Sequence, residues 1–419
     1  MTGQLRGQHV RLRPLTLLDE GPDEVLVGSP ESGTYITVPT VGALVIRALE
    51  RGASIPEAQV EATRYAGEPV DVAAFVGGLR ELGFLAEHDD EDGRRHADAP
   101  ARIRRTAPIQ QRRWVTGLDT RKARPFFSRA AWLCYAGALV FSVGCFVLRP
   151  SLIPRPGDVF LFEDRGLAVL FLLPFGYLMS ALHEGWHWLA ARAAGVSARF
   201  GIDRRLYFMV FETDLSQLWT LPRRQRYGPQ LAGLAIDSFV LGGLVGIRLL
   251  DETGWCDVPA LVAGVAGALA FMTLSSMVWQ CMVFLRTDLY GVLLTLTGCH
   301  DLWNTKTLLL RRAFGRLGPA HSEQLASARP RDVAVARWFR WVYLIGVPVA
   351  LAHYAVFRVP IFAGVAIWAC HGLAVGPLAA RFWYTLAISS AVFLPSLVVM
   401  TTWLLDLYRR RLTMPLTQA

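Results

Sequence analysis

From residue 129 onward the chain alternates long apolar blocks with short polar ones. The blocks fall at about 129–148, 166–194, 230–250, 258–285, 339–357, 359–379 and 383–405. About 20 apolar residues carry a helix across the hydrocarbon of a bilayer, so most of these blocks predict membrane helices. Before residue 129 the pattern is finer. Strands are predicted near 24–28 and 34–38, around the turn Ser29-Pro30-Glu31-Ser32-Gly33. A helix is predicted from Thr40, which is placed to cap it, with Val41, Leu44, Val45, Ala48 and Leu49 on one face and Gly52 as its stop. Ser54 and Glu57 form a capping box, with Pro56 in the first turn of the next helix. A third helix is expected over about 69–82, with Val72, Phe75, Val76, Leu79 and Leu82 apolar, then Gly83 and a closing strand at Phe84-Leu85. Strands followed by three short helices predict a small α+β, winged-helix-like domain over residues 1–87. Residues 88–125 are polar and charge-blocked, the composition of a disordered linker in which His88 and His96 are plain solvated side chains.

Composition supports this division. The chain has 419 residues, 53% hydrophobic and 18% charged, against about a quarter charged in soluble proteins. Its net charge of +9 comes mostly from Arg, and the basic residues flank the apolar blocks, as at Arg112, Arg113, Arg121, Lys122, Arg124 and Arg129. That placement is topology signalling and argues against nucleic-acid binding. It puts the start of the first block inside. The second then runs inward to Arg192, Arg199, Arg204 and Arg205, the third outward to the acidic loop DETGWCD, and the fourth inward to Arg286. Arg409, Arg410 and Arg411 ask for an even number of spans, so six are expected, with 359–379 (Pro360, His371, Pro377) re-entrant or interfacial. The six cysteines include no CxxC pair, which gives neither a disulfide framework nor a cysteine zinc site. No signal-peptide pattern is found at the N-terminus. The expected location is a bacterial cytoplasmic membrane, multi-pass, with the N-terminus cytosolic.

One apolar block carries ionisable groups. His183-Glu184-Gly185-Trp186-His187 is HExxH. On a helix, positions i and i+4 share a face, so both imidazoles can bind one metal while Glu184 takes a proton from metal-bound water. Charged groups at membrane depth are costly and usually functional. A catalytic zinc needs a third protein ligand at the same depth. His183 lies 17 residues beyond Gly166, about 26 Å along the helix, which is close to the inner side of a core about 30 Å thick. The inward end of the fourth block brings Asp288 to that depth, with Asp237 and Asp214 as rivals. His353 and His371 are expected to be hydrogen-bonded core residues, Trp186 and Trp188 to pack, and His300-Asp301 to be structural.

HExxH in a membrane helix, followed by GPQLAGLAIDSF and FLRTDLYG, resembles the site-2 protease family of intramembrane zinc metallopeptidases over roughly 129–300. The resemblance implies His183 and His187 as zinc ligands, Glu184 as base and Asp288 as third ligand, with one Zn2+ per chain. Two departures stand out. Leu289 follows the Asp where the family has Gly, with Gly291 two residues on, and the preceding Asn-Pro is absent. Asp237, mid-block beside Ser238, is expected either to bond the outer nitrogen of a ligand His or to line a water path. RLYFMVFETD, residues 205–214, is either a strand whose edge holds extended substrate or an amphipathic loop.

The N-terminal domain resembles PqqD-like RiPP recognition elements over about 75 residues. The resemblance rests on the early hairpin, the TVGALVIRAL helix, Gly-x-Ser-Ile-Pro-Glu, and Phe75-x-x-x-Leu79-x-x-x-Gly83-Phe84-Leu85. It implies capture of a leader peptide as an added strand; a regulatory domain of the same fold is the alternative. The whole chain therefore reads as a polytopic α-helical membrane protein with a metallopeptidase core at 126–300 and further helices at 301–419. The expected activity is zinc-dependent endopeptidase action on a peptide or protein substrate in the bilayer, within a ribosomal peptide pathway. Regulated intramembrane proteolysis of a signalling protein, and a non-catalytic metal-binding or immunity protein, are the alternatives.

Overall fold

The computed structural model describes residues 10–21, 24–29, 34–85, 119–196, 198–205 and 208–412. The chain divides into two units, Met1–Gln110 with Leu215–Gln225, and Gln111–Asp214 with Arg226–Ala419.

The first unit contains β1 (Thr16–Gly21), β2 (Glu24–Ser29) and β3 (Thr34–Pro39), followed by α1 (Thr40–Glu50), α2 (Ile55–Ala66) and α3 (Val72–Glu81). The strands form an antiparallel meander in the order β1-β2-β3. β1 is not signalled by the sequence, because TLLDEG places two Leu and then two acids side by side and does not alternate. Thr40 opens α1 rather than capping it; Pro39 ends β3 in an extended conformation and makes the junction. The Ser54–Glu57 capping box forms as expected, with the Glu57 carboxylate accepting from both Ser54 N–H and its hydroxyl. Asp71 caps α3 by accepting from Ala74 N–H, so that helix starts later than 69. Gly67 at the end of α2 takes the left-handed conformation (φ 72°) that favours glycine. Val45, Leu49, Ile55, Val72 and Val76 bury their side chains between the helices, and Val25, Val27, Ile46, Leu79 and Phe84 between helices and sheet. The closing strand reduces to one bridge, Leu12 with Leu85.

The second unit begins with α4 (Thr120–Ala123), so the last residues of the expected 88–125 linker are helical; residues 86–118 lie outside the described set. It continues with α5 (Arg129–Leu148), α6 (Arg165–Ala193), the hairpin β4 (Arg199–Arg205) and β5 (Phe208–Asp214), α7 (Arg223–Thr253), α8 (Ala260–Gln280) and α9 (Asp288–Thr297). Then come α10 (Leu302–Ala313), α11 (Pro319–Ala326), α12 (Pro330–Phe357), α13 (Val359–Ala374) and α14 (Ala380–Leu412). The side chains of Ser128 and Asp164 accept backbone N–H groups in the first turns of α5 and α6 and set where each helix begins. Five helical segments among the described residues are long and apolar enough to cross a membrane: α5, α6, α7, α8 and Pro330–Ala374, which runs through α12 and α13. Leu133, Val140, Val147 and Leu148 leave α5 with an exposed apolar surface, the kind that hydrocarbon covers without leaving polar groups unpaired. The sixth expected span, 383–405, falls on α14, parts of which have side chains outside the described set. Of the two readings of 205–214, the strand is the one found: Phe208–Asp214 forms β5, and Arg205 ends β4.

Candidate metal centre

Helix α6 carries His183 and His187 one turn apart, both buried, with their Nε2 atoms 3.3 Å apart. The third group arrives on α9. Asp288 opens that helix, and its Oδ2 lies 2.9 Å from His183 Nε2 and 3.0 Å from His187 Nε2. Side chains separated by about a hundred residues of sequence thus meet at one point, and His183, His187 and Asp288 together could hold a metal ion.

The turn that aims Asp288 needs no glycine beside it. Helix α8 ends at Gln280, a short turn covers Val283–Leu285, and Arg286 takes a left-handed conformation (φ 61°) before α9 begins. Such a conformation is uncommon for a non-glycine residue and persists only where its surroundings hold it. Here Gln280 clamps both sides of the turn. Its backbone oxygen accepts from the Thr287 hydroxyl at 2.7 Å, and its side-chain oxygen accepts from Asp288 N–H at 3.1 Å. Its amide nitrogen lies 3.4 Å from His183 Nε2. Further along the same face of α9, Gly291 admits Gln230 of α7, which exchanges hydrogen bonds with Thr295 at 2.9 and 3.2 Å.

The outer nitrogens of both imidazoles are tied to α7. His187 Nδ1 lies 2.7 Å from the Pro229 carbonyl oxygen. A carbonyl only accepts, so Nδ1 carries a proton, and in the neutral ring Nε2 presents its lone pair. His183 Nδ1 lies 2.8 Å from Asp237 Oδ2, which fixes that ring in the same sense. Asp237 therefore orients the His183 imidazole and lies outside the group of three that could hold a metal ion. The side chain of Asp214 lies outside the described residues.

Glu184 points to a different neighbour. Its Oε2 accepts Thr213 N–H at 3.1 Å, and its backbone oxygen accepts the Thr213 hydroxyl at 2.7 Å. Strand β5 is thereby fastened to α6 beside the histidines.

The donor set fits a metal ion. Two ligands at 2.0–2.1 Å from a tetrahedral zinc stand about 3.3 Å from each other, and the three separations here are 3.3, 2.9 and 3.0 Å. With neutral rings whose Nδ1 protons bond outward, the two Nε2 lone pairs and the Asp288 carboxylate would face one shared cation.

The remaining sequence candidates lie elsewhere. His353 packs its ring 4.7 Å from that of Phe357, and His371 is exposed on α13 rather than in a core. His300 and Asp301 give their backbone N–H groups to Asp332, as a structural role requires. Trp186 packs on Phe126 and Phe127 and donates to the Tyr135 hydroxyl. Sequence reasoning missed Gln280, Thr213 and Pro229. The GPQLAG stretch was the available signal for Pro229; an isolated Gln or Thr carries none. Comparisons with protein-family models, with curated proteins and with solved structures give no match to this chain.

Proposed function

We propose that this chain is a membrane-embedded zinc endopeptidase of the site-2 protease type. The observation that carries the reading is the meeting of His183, His187 and Asp288 at one buried point, with Glu184 next in sequence to the first ligand. Zinc held there would supply Lewis acidity toward the scissile carbonyl and lower the pKa of a bound water. Glu184 would accept the proton of that water and pass it to the leaving amine. Thr213 holds Glu184 from the β5 side. Asp237 and Pro229 keep the two imidazoles aimed. A helical peptide bond has its carbonyl engaged, so substrate must reach the centre extended, and a strand beside the base suits that requirement.

The N-terminal unit belongs to the same proposal. A three-stranded meander has two edge strands, here β1 and β3, and an extended peptide joins such an edge through main-chain hydrogen bonds. A leader-bearing ribosomal peptide precursor is the substrate class that unites a strand-capturing unit with a membrane peptidase. The test compares new peptide termini, by mass spectrometry, in cells expressing the full chain or its Glu184→Gln variant. Cleavage products confined to the unaltered chain are expected. The same products in both would overturn the reading.

A further inference from the structure

Beyond the ligands and the base, we propose that Gly233 decides whether the centre can hold a metal at all. The inference rests on the metal-centre reading and adds a determinant that the ligand set does not contain. Gly233 is buried on α7, one turn after Pro229 and one turn before Asp237. These three positions share one helix face, and each does something different to the histidines. The Pro229 carbonyl holds His187 Nδ1 at 2.7 Å, and the Asp237 carboxylate holds His183 Nδ1 at 2.8 Å. Between them, Gly233 contributes an absence. A Cβ at 233 would press against Nε2 of His183 and Nε2 of His187 at once, far inside van der Waals contact.

The rings have no easy retreat. Each is anchored through its Nδ1 to the same helix that would carry the new methyl group, so moving a ring off residue 233 breaks its own anchor. The methyl would also abut both atoms whose lone pairs must face the ion. Glycine in the middle of a helix is otherwise disfavoured, and Gly243, also on α7, has nothing within 4 Å of where its Cβ would lie. The face 229–233–237 of α7 therefore acts as a jig that turns both imidazoles inward and leaves the space between them clear. This assigns a role to the GPQLAGLAID stretch that its single carboxylate does not exhaust.

The test uses zinc alone, with no substrate. Full-length protein, stripped with chelator and dialysed, is titrated with Zn2+ by calorimetry, and its thermal unfolding is followed with and without the ion. The unaltered chain and Gly243→Ala are expected to bind one zinc and to unfold at higher temperature with it. Gly233→Ala is expected to bind about 100-fold more weakly, or not at all, the upper range for disturbing the surroundings of metal ligands. Gly233→Ala that binds like the unaltered chain overturns the inference and leaves the metal-centre reading standing. An unaltered chain that takes up no zinc overturns both. If Gly233→Ala does not fold, the same change is made in a His183→Ala, His187→Ala background. Folding equal to that background is expected once the rings are gone, and failure there overturns the inference.

Discussion

At the junction of α9, α10 and α12, Lys306 is almost fully buried, and its ammonium lies 3.7 Å from the Trp303 ring centroid and 3.7 Å from that of Tyr343. Asp332, equally buried, accepts the backbone N–H groups of His300 and Asp301. Both charges there are answered, the cation by aromatic faces and the carboxylate by main-chain donors. At the junction of α6, α7 and α9 the accounting differs. Two imidazoles and a carboxylate also lie together, but the outer ring nitrogens bond Pro229 and Asp237, while the inner ring nitrogens converge with the Asp288 carboxylate on one point. Buried polarity is therefore not the mark of a site by itself. The mark is a set of metal-ligating atoms from distant segments that converge where one ion could be shared.

That contrast yields expectations of decreasing size. The largest concerns Glu184. Glu184→Gln should lower peptide turnover by about 10²–10⁴-fold with zinc content unchanged, as measured by single-turnover cleavage of a processed peptide and by metal analysis. Asp237→Asn comes next. It removes the charge behind His183, so zinc affinity should fall about 10–100-fold in a chelator-competition titration, while helicity stays the same. Thr213→Val removes the hydroxyl that clasps the Glu184 backbone but keeps the N–H. Turnover should fall about five-fold, the value of one ordinary hydrogen bond, and Thr213→Ser should restore it. Equal rates in Val and Ser variants would remove β5 from the account.

For the metal centre itself the smallest effect belongs to the answered cluster, where the change falls on stability. Burial pushes the Lys306 ammonium down to about 8. The unfolded chain therefore binds more protons than the folded one between about pH 8 and the ordinary lysine value near 10.4, and stability must rise with pH across that window. Lys306→Met should abolish the rise and leave zinc binding untouched. Chemical denaturation at about pH 7.5 and about pH 10, on either side of most of that window, reads the difference; a variant that keeps the wild-type slope would contradict it.

Much of the architecture was legible because apolar length is a strong signal. The 129–148 block and α5 coincide, and HExxH announced the paired imidazoles through helical spacing alone. Asp288 was legible because the block directions expected from the basic residues put it at the depth of the histidines, and the two meet. What stayed hidden depends on contacts between distant segments. Nothing local distinguishes Gln280 from any glutamine at a helix end, yet it clamps the turn that aims Asp288. Thr213 meets Glu184 only because the β4–β5 register turns its N–H toward α6. Helix α7 begins at Arg223, ahead of its apolar block, because an Arg- and Gln-rich first turn has no hydrophobic signature. β1 was missed for a similar reason, its acids breaking the alternation that marks strands.

Metal analysis of the full-length protein tests most directly whether His183, His187 and Asp288 hold a metal. Purified from membranes without chelator, the unaltered chain should carry about one zinc, and His187→Ala and Asp288→Ala should carry almost none. A metal-free unaltered chain, or variants as rich in zinc as the unaltered one, would contradict the account.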